Sequence, residues 1–464
     1  DFGFKEGSRN MQMNNFGRGG LQGDPIVAAS GFVTDSPVLS SFSNALFATL
    51  PDGVCCPFTA FGLFTVADGF RNADSAFDSD VIVHEHGHGV STRLVRKLNT
   101  IQSGAMGEGW SDWFALDYAD DPVIAEYVTG NSSTGIRTVR YDDTSPHQLG
   151  DFGNLLGPFT FEDLFESLPL PATVGTIFIP EVHIDGEIWA SVLADLRTAL
   201  LGSGVSPLTV STLMIKALKS TPANPSMIQA RNALLTAGTQ MGLDKCAIWT
   251  VFAARGFGNN AANNEIPDTA AGDSLSVFQA FDRPSSCGGS FSTGISIHSA
   301  DFDGASVGDT MADDWSGTGL WHVSTRRRVG TNGGSFYFGS EGSGTYNTGA
   351  RVLGTLTSPI LDLSGADRPV LEMSLFVKTE ESFFPFDILW VRVSTDGGVT
   401  FATQRGIFFW DTNDGFRRVR IDLAPLALES NARIQLYFDT VDETFNNFEG
   451  VYVDKIDIRN YTEQ

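Results

Sequence analysis

The sequence predicts a multidomain fold, in which a mostly helical front part precedes an all-β jelly-roll sandwich. Three observations support this prediction. Apolar residues recur with helical spacing before residue 283, and they alternate with a period of two after residue 294. The residues between these parts are small and polar, with several glycines and serines, which is typical of a linker. We therefore divide the chain into a front domain over residues 1–287, a linker over 288–294 and a β domain over 295–464.

Helices in the front part are predicted from stripes of apolar side chains. The clearest stripe follows a turn at Gly186 and consists of Ile188, Val192, Leu193, Leu196 and Leu200. Shorter stripes of the same kind lie at 210–218, 227–235 and 247–254.

Strands in the back part are predicted from alternating apolar residues. The alternation covers 370–377, 388–393, 416–421, 434–438 and 451–458, with a hairpin turn at 396–398. Several short antiparallel strands without a long helix indicate a β-sandwich. Four tryptophans could line a ligand platform, but we expect them in the sandwich core: Trp315, Trp321, Trp390 and Trp410.

Composition limits the class of partner and the compartment. Lys and Arg number 30 against 55 Asp and Glu, so the formal net charge is −25, which argues against binding to nucleic acid. No stretch reaches the roughly 18 apolar residues that cross a bilayer. The first residues do not form a secretory signal, so we expect a mature chain whose leader has been removed. Four cysteines fit one or two bridges in an exported protein.

One motif has the spacing of a metal site. His84 and His88 are four residues apart, so on a helix they share one face and can bind one cation. Glu85 follows the first histidine and is placed to take a proton from a zinc-bound water. His86 lies two residues from His84 and is expected to face away from the metal.

A second helix is expected to complete this site. Glu108 lies 20 residues after His88 and would be the third protein ligand of a His-His-Glu zinc site, which leaves one position for water. Asp112 is one helical turn further and could accept the free ring N–H of a ligand histidine. An ordinary polar helix face is the alternative reading of these two carboxylates.

Together these motifs resemble the fungalysin family of zinc metalloendopeptidases, which are relatives of thermolysin. The matching segments are 15–20, 24–27, 44–53, 84–88, 104–112, 135–138, 182–190 and 246–249, so the resemblance covers about residues 1 to 287. It implies a thermolysin-like α+β catalytic domain with a mostly helical zinc-binding half. It also implies one catalytic Zn²⁺, secretion, and synthesis as a zymogen whose propeptide is removed. We expect the family's N-terminal β segment to be missing from this chain, through removal in maturation, through autolysis, or because this lineage never had it.

The resemblance assigns further roles to matching residues. His183 would stabilise the oxyanion of the tetrahedral intermediate, and Arg137 would hold a substrate carbonyl. The alternatives are a core histidine for His183 and a surface ion pair for Arg137. Asn44 and Ala45 match the edge segment that binds extended peptide. Cys246 and Cys287 match cysteines expected to form a disulfide.

Two local patterns left alternatives open. Asp74, Asp78 and Asp80 precede the first metal helix and could form a structural Ca²⁺ site, or an acidic turn that favours the helix N-terminus. Cys55 and Cys56 are adjacent, and because vicinal bridges are strained we expect two free buried thiols.

The sequence thus predicts a secreted, extracellular zinc endopeptidase that cleaves internal peptide bonds of proteins. One alternative is a non-catalytic adhesion or carbohydrate-binding protein on a peptidase-like fold, although a dead site would have no reason to keep all five site residues. A zinc hydrolase with non-peptide substrates is another. The β domain, with no predicted residue in the chemistry, would bind an extracellular matrix or surface.

Overall fold

A computed structural model describes residues 3–32, 43–142, 159, 161–165, 168–172, 175–179, 181–264, 277–380, 386–408, 411, 412 and 414–463. Contacts within the chain define two compact units. The first unit comprises Asp1–Leu168 and Pro180–Gly258, and the second comprises Pro169–Ile179 and Asn259–Gln464. The first unit ends before the predicted boundary at Cys287, and the three-part division stays a prediction.

The first unit contains seven α-helices in its described residues, as a mostly helical α+β domain requires. These helices are α1 (Ser79–Val95), α2 (Ile101–Ala119), α3 (Glu126–Thr129), α4 (Val182–Gly202), α5 (Pro207–Ser220), α6 (Met227–Gln240) and α7 (Lys245–Ala254). The four apolar stripes lie on α4 to α7, so these predicted helices are confirmed. No helix in the described part of the chain combines the length and apolar character that crossing a bilayer requires.

A small sheet accompanies the helices. Its strands are β1 (Val27–Phe32), β2 (Ala45–Ala48), β3 (Phe58–Phe64) and β4 (Ala73–Asp74). β3 is central, with β1 parallel and β2 antiparallel to it. Within the described residues, β2 pairs only with β3, so its other edge is open. The ring of Phe47 on β2 packs against α1, where an added Cβ at Gly89 would lie 2.7 Å from Cζ of Phe47.

Glycines set the close packing of the three helices that matter for the site. α2 packs against both α1 and α4. A Cβ at Gly87 of α1 would lie 2.8 Å from Cα of Ser111 on α2. A Cβ at Gly109 of α2 would lie 2.6 Å from the carbonyl oxygen of Gly186 on α4. Larger side chains at Gly87 and Gly109 would push these helices apart, because neighbouring backbone cannot give way.

The second unit contains two six-stranded antiparallel sheets. The first consists of β10 (Ser296–Ala300), β13 (Trp321–Ser324), β14 (Ser335–Phe338), β16 (Pro369–Lys378), β19 (Arg417–Asp422) and β21 (Gly450–Asn460). The other consists of β11 (Met311–Ala312), β12 (Trp315–Gly317), β15 (Leu353–Thr357), β17 (Ile388–Ser394), β18 (Thr403–Phe408) and β20 (Arg433–Asp439). Shorter pairs are β5 (Leu168–Ala172) with β6 (Gly175–Ile179), β7 (Ala262–Asn263) with β8 (Val277–Phe278), and β9 (Phe291–Ser292) with β22 (Thr462–Glu463).

The two large sheets share one apolar core, which confirms the predicted sandwich. The rings of Phe338 and Phe438, from different sheets, have centroids 4.6 Å apart. Trp315 and Trp321 are fully buried in this core. Trp390 is also buried, but it lies on the outer face of its sheet, against the ring of Tyr437. Trp410 lies outside the described residues.

All five predicted strands of the back part are confirmed, in β16, β17, β19, β20 and β21. The hairpin turn at 396–398 joins β17 to β18, and Gly397 and Gly398 both have positive φ. The segment predicted as a linker, 288–294, contains the two-residue strand β9, which pairs with β22 and was not predicted. Two residues are too few for alternation to reveal a strand, and the glycines around them suggested a linker.

The prediction for the adjacent cysteines was wrong. Cys55 and Cys56 form a disulfide across a cis peptide bond, and Cys55 is exposed. The prediction of free thiols rested on the strain expected of a bridge between adjacent cysteines. Cys246 and Cys287 are each disulfide-bonded.

Candidate active site

The predicted ligand residues converge on one point. The ligand atoms of His84, His88 and Glu108 all lie within 4.8 Å of one another. Nε2 of His84 is 3.0 Å from Nε2 of His88 and 3.2 Å from Oε2 of Glu108, while Nε2 of His88 is 3.5 Å from Oε1 of Glu108. In the described part of the chain, no other group of three His, Cys, Asp or Glu residues meets in this way.

The helices place these side chains for local reasons. Asp78 caps the N-terminus of α1, and its Oδ1 accepts hydrogen bonds from the backbone N–H groups of Asp80 and Val81. His84 and His88 then lie on one face of α1, four residues apart. α2 brings Glu108 against that face, and His86 is exposed, as predicted.

The donor set fits a metal ion. The His84 Nδ1–H donates to Oδ1 of Asp112 at 2.7 Å, so the lone pair of Nε2 faces the cluster. The pKa of Glu108 is far below its usual range, since the nearby histidines outweigh the effect of its burial, and its carboxylate is ionised. Two imidazole nitrogens and one carboxylate match the protein ligands of catalytic zinc sites.

Asp112 is held in place by a ring of donors. Its side chain is 1 % exposed and accepts from Nε of Arg137 at 2.7 Å and from Nη2 at 2.8 Å. The hydroxyl of Tyr141 donates to the same carboxylate. Although burial alone would raise it, the pKa of Asp112 is held well below its usual range by Arg137 and His84. A buried carboxylate with these partners stays ionised and fixes the orientation of His84.

Glu85 is buried beside the ligand residues, and one of its carboxylate oxygens lacks a hydrogen-bond partner in the described part of the chain. The residue is 5 % exposed, and within the described residues Oε2 accepts no hydrogen bond. Burial raises the pKa of Glu85 to about 7. A carboxyl group that titrates near neutral pH and has a free oxygen is suited to accept and return a proton.

His183 lies at the N-terminus of α4 and faces the cluster. Its Nε2 is 3.7 Å from Oε2 of Glu108, and its side chain is 47 % exposed. The core-histidine alternative does not fit this exposure. Nδ1 is 2.7 Å from Oε1 of Glu181, and this hydrogen bond raises the pKa of His183. When protonated, the form that Glu181 favours, His183 presents its Nε2–H to the space in front of the three ligand residues.

The remaining predicted residues are placed as follows. Asn44 is exposed and Ala45 is buried at the start of β2, the strand with an open edge. Arg137 is not a surface ion pair, because its side chain is 8 % exposed and its partner is Asp112. Two of its three nitrogens bind that carboxylate, so a substrate-binding role is left to its third nitrogen, Nη1.

The structure does not gather the three predicted calcium residues into a ligand group within its described residues. Each carboxylate instead accepts backbone N–H groups. Asp74 accepts from Ala76, while Asp78 caps α1 and also accepts from Val128. Asp80 accepts from Ala125. These contacts fit the alternative interpretation, in which the three aspartates form an acidic turn before a helix. The calcium site stays a prediction.

Sequence reasoning missed three residues around the site: Tyr141, Glu181 and Glu187. Tyr141 contacts Asp112 from 29 residues away, which no local pattern reveals. Glu181 directly precedes α4 and its carboxylate accepts from the N–H groups of His183 and Ile184, so a helix-capping signal was present. Glu187 lies inside the matching segment 182–190 but had no assigned role.

The fold and the site define a class of protein: metalloproteins that bind a metal ion between an HExxH helix and a glutamate of a neighbouring helix. Comparison with known families makes this specific. The model of the fungalysin metallopeptidase (M36) family matches residues 1–261, more than half of the chain. The chain belongs to this family, and the resemblance seen in the sequence is confirmed.

Similar proteins include fungal enzymes. The chain is 31 % identical over 307 residues to "Probable extracellular metalloproteinase 4" of Trichophyton verrucosum, which covers 58 % of this chain and 43 % of that protein. It is 32 % identical over 292 residues to "Extracellular metalloproteinase MEP" of Pyricularia oryzae, covering 56 % and 41 %. The chain thus spans less than half the length of these relatives. Among solved structures, the precursor of protealysin from Serratia proteamaculans aligns with a TM-score of 0.33 and 17 % identity, over 43 % of this chain and 63 % of that one.

Proposed function

We propose that this chain is a secreted zinc endopeptidase that hydrolyses internal peptide bonds of proteins. The observation that carries the proposal is the convergence of His84, His88 and Glu108 beside the buried, unpartnered oxygen of Glu85. Family membership and the relatives named extracellular metalloproteinases support it. A non-catalytic binding protein is not favoured, because such a protein has no need of this arrangement.

Each site residue has its own role in the proposed hydrolysis. His84, His88 and Glu108 would hold one Zn²⁺, which when bound polarises the scissile carbonyl and acidifies a water. Glu85 takes the proton from the attacking water and passes it to the leaving amine. His183 donates a hydrogen bond to the oxygen on which negative charge develops. Asp112 keeps His84 in the tautomer whose Nε2 faces the metal position.

The open edge of β2 is where we propose that substrate binds. An extended peptide can add to such an edge through backbone hydrogen bonds, with Asn44 and Ala45 at its start. Phe47 packs this strand against α1 at Gly89, the residue after His88, and we propose that a peptide on the edge passes the ligand residues. Arg137 would bind a substrate carbonyl through Nη1.

Other parts of the proposal concern the rest of the molecule. We propose that the second unit attaches the enzyme to an extracellular matrix or surface, since none of its described residues belongs to the site. Removal of a propeptide, bound calcium and a domain boundary at Cys287 stay predictions from the resemblance and the sequence.

The test is hydrolysis of casein and of one defined peptide by three preparations: the chain as purified, the chain stripped by a chelator, and the stripped chain with Zn²⁺ restored. We expect activity in the first and third only, with mass spectrometry showing cleavage at internal bonds. A zinc-loaded, folded chain that cleaves neither substrate would overturn the proposal. Hydrolysis of small esters without cleavage of peptides would favour the non-peptide alternative.

A further inference from the structure

Glu187 is a buried carboxylate close to the site, and the mechanism above gives it no role. It lies on α4, one helical turn after His183, and is 2 % exposed. Its oxygens accept from the backbone N–H of Thr138 at 3.1 Å and from that of Val139 at 3.3 Å. The hydroxyl of Thr138 also donates to it, at 2.6 Å. The carboxylate therefore holds two successive backbone amides.

These amides belong to the segment that carries Arg137. Residues 137–140 are neither helix nor strand. The backbone on either side is fixed, because the N–H of Ile136 donates to the carbonyl of Ile124 and that of Tyr141 to the carbonyl of Pro122. Arg137 extends from it to Asp112, which in turn orients His84. Glu187 thus connects α4, which presents His183, to the backbone next to Arg137.

We propose that Glu187 is a positioning residue. By binding the amides of Thr138 and Val139 it fixes Arg137, and through Arg137 the Asp112–His84 pair, relative to His183. His183 and Arg137 are the two groups expected to contact the scissile peptide from different elements, so their separation determines how well both can bind it. The kinetic consequence rests on the proposed peptidase function, whereas the positioning itself does not.

The first test is the variant Glu187→Gln, which keeps the shape but replaces one accepting oxygen by a donor. We expect kcat/KM for a short peptide to fall about 10- to 100-fold, as for misplacement of a group by about 1 Å. Zinc content by elemental analysis should be unchanged. A double-mutant cycle with Arg137→Lys separates positioning from general weakening. If Glu187 acts through Arg137, the double variant is no worse than Arg137→Lys alone.

A second readout does not depend on activity. Hydrogen exchange followed by mass spectrometry should show faster exchange in peptides that cover residues 137–141 of Glu187→Gln than in the same wild-type peptides. The matched control is Asp195→Asn on the same helix. Asp195 accepts from Nε of Arg255 at 2.6 Å, away from this segment. Its loss should leave kcat/KM and the exchange of residues 137–141 as in the wild type.

A milder variant covers the case in which Glu187→Gln does not fold. Thr138→Val removes only the hydroxyl donor. The proposal is supported if this change lowers kcat/KM several-fold in the wild type but not when Arg137 is already replaced by lysine. The proposal is overturned if hydrogen exchange and kinetics in the Glu187 variant are those of the wild type. It is also overturned if the losses of kcat/KM in the two single variants simply multiply in the double variant. If the zinc-loaded wild type cleaves no peptide, the proposed function fails, while the exchange result still decides whether Glu187 holds the segment.

Discussion

Two buried aspartates, one in each unit, have almost the same surroundings. Asp112 accepts from Nε and Nη2 of Arg137 and from the hydroxyl of Tyr141. Asp439 accepts from Nε and Nη2 of Arg351 at 2.8 and 2.6 Å, and from the hydroxyl of Tyr437 at 2.8 Å. Both side chains are 1 % exposed, and both pKa values are lowered.

The fourth donor distinguishes them. For Asp439 it is the backbone N–H of Val441, at 2.9 Å, and the network ends there. For Asp112 it is Nδ1 of His84, whose other nitrogen faces His88 and Glu108. A buried Asp–Arg–Tyr group is thus a way to stabilise a charge in either fold. It becomes part of a site only where one of its hydrogen-bond partners is itself a metal-ligand residue, as His84 is.

A second pair extends the comparison. Glu85 in the first unit and Asp387 in the second are both buried, and within the described residues each has one carboxylate oxygen without a partner. Burial raises the pKa of each to about 7. Only Glu85 lies beside the ligand residues. Burial and a raised pKa are therefore not enough to identify a catalytic group, and convergence is the better criterion.

The largest expected effect tests this second pair. Glu85→Gln keeps the size of the side chain but cannot accept and return a proton, so kcat should fall by about 10²–10⁴. Zinc content should be as in the wild type. Asp387→Asn, the matched change in the sandwich, should leave kcat and KM unaltered. Full activity in zinc-loaded Glu85→Gln would remove Glu85 from the mechanism.

A smaller effect tests the first pair. Asp112→Asn should weaken zinc binding by about 10- to 100-fold, as the loss of a carboxylate that orients a ligand histidine does. Asp439→Asn also breaks a buried ion pair, so both variants should be less stable, but its zinc affinity should not change. Competition with a chromophoric chelator measures both affinities. Equal zinc affinity in the two variants would mean that Asp112 is no more than a structural charge.

The sequence allowed prediction of the parts of this site that depend on local geometry. The spacing of His84 and His88 follows from the helical period, and Glu108 from a recurring two-helix pattern. The longer strands of the sandwich, such as β16, could also be predicted, because their apolar residues alternate over many positions. Tyr141 and Glu187 were not, because their partners, Asp112 and Thr138, lie 29 and 49 residues away, and only the packing of the irregular segment 136–141 against α2 and α4 brings them together. The two-residue strand β9 was missed because it is too short for any period.

The third effect concerns stability and separates the two sandwich aspartates. Oδ2 of Asp387 accepts from the N–H of Glu380 at 3.2 Å and from the hydroxyl of Tyr346, but no cationic partner of Asp387 is found among the described residues. Its pKa is about 7 in the folded chain, against about 3.9 when unfolded. Between these values the folded state holds a proton that the unfolded state has lost. This group therefore makes the free energy of unfolding fall as pH rises from about 4 to 7, by at most about 1.4 kcal/mol per pH unit.

Asparagine at this position cannot ionise, so Asp387→Asn should gain stability relative to the wild type as pH rises through that window. Urea unfolding of metal-free proteins at pH 4.5, 5.5, 6.5 and 7.5 measures the difference without a contribution from metal release. Asp439→Asn is the control, because the pKa of Asp439 is lowered and its substitution should therefore change the free energy of unfolding in the opposite direction. Asp439 is ionised in both states above about pH 5, so its loss should destabilise the chain by the same amount at the three higher pH values. If the difference in the free energy of unfolding between Asp387→Asn and the wild type did not change with pH, burial alone would not keep this carboxyl group protonated. Asp387 and Glu85 would then share their burial but not their raised pKa.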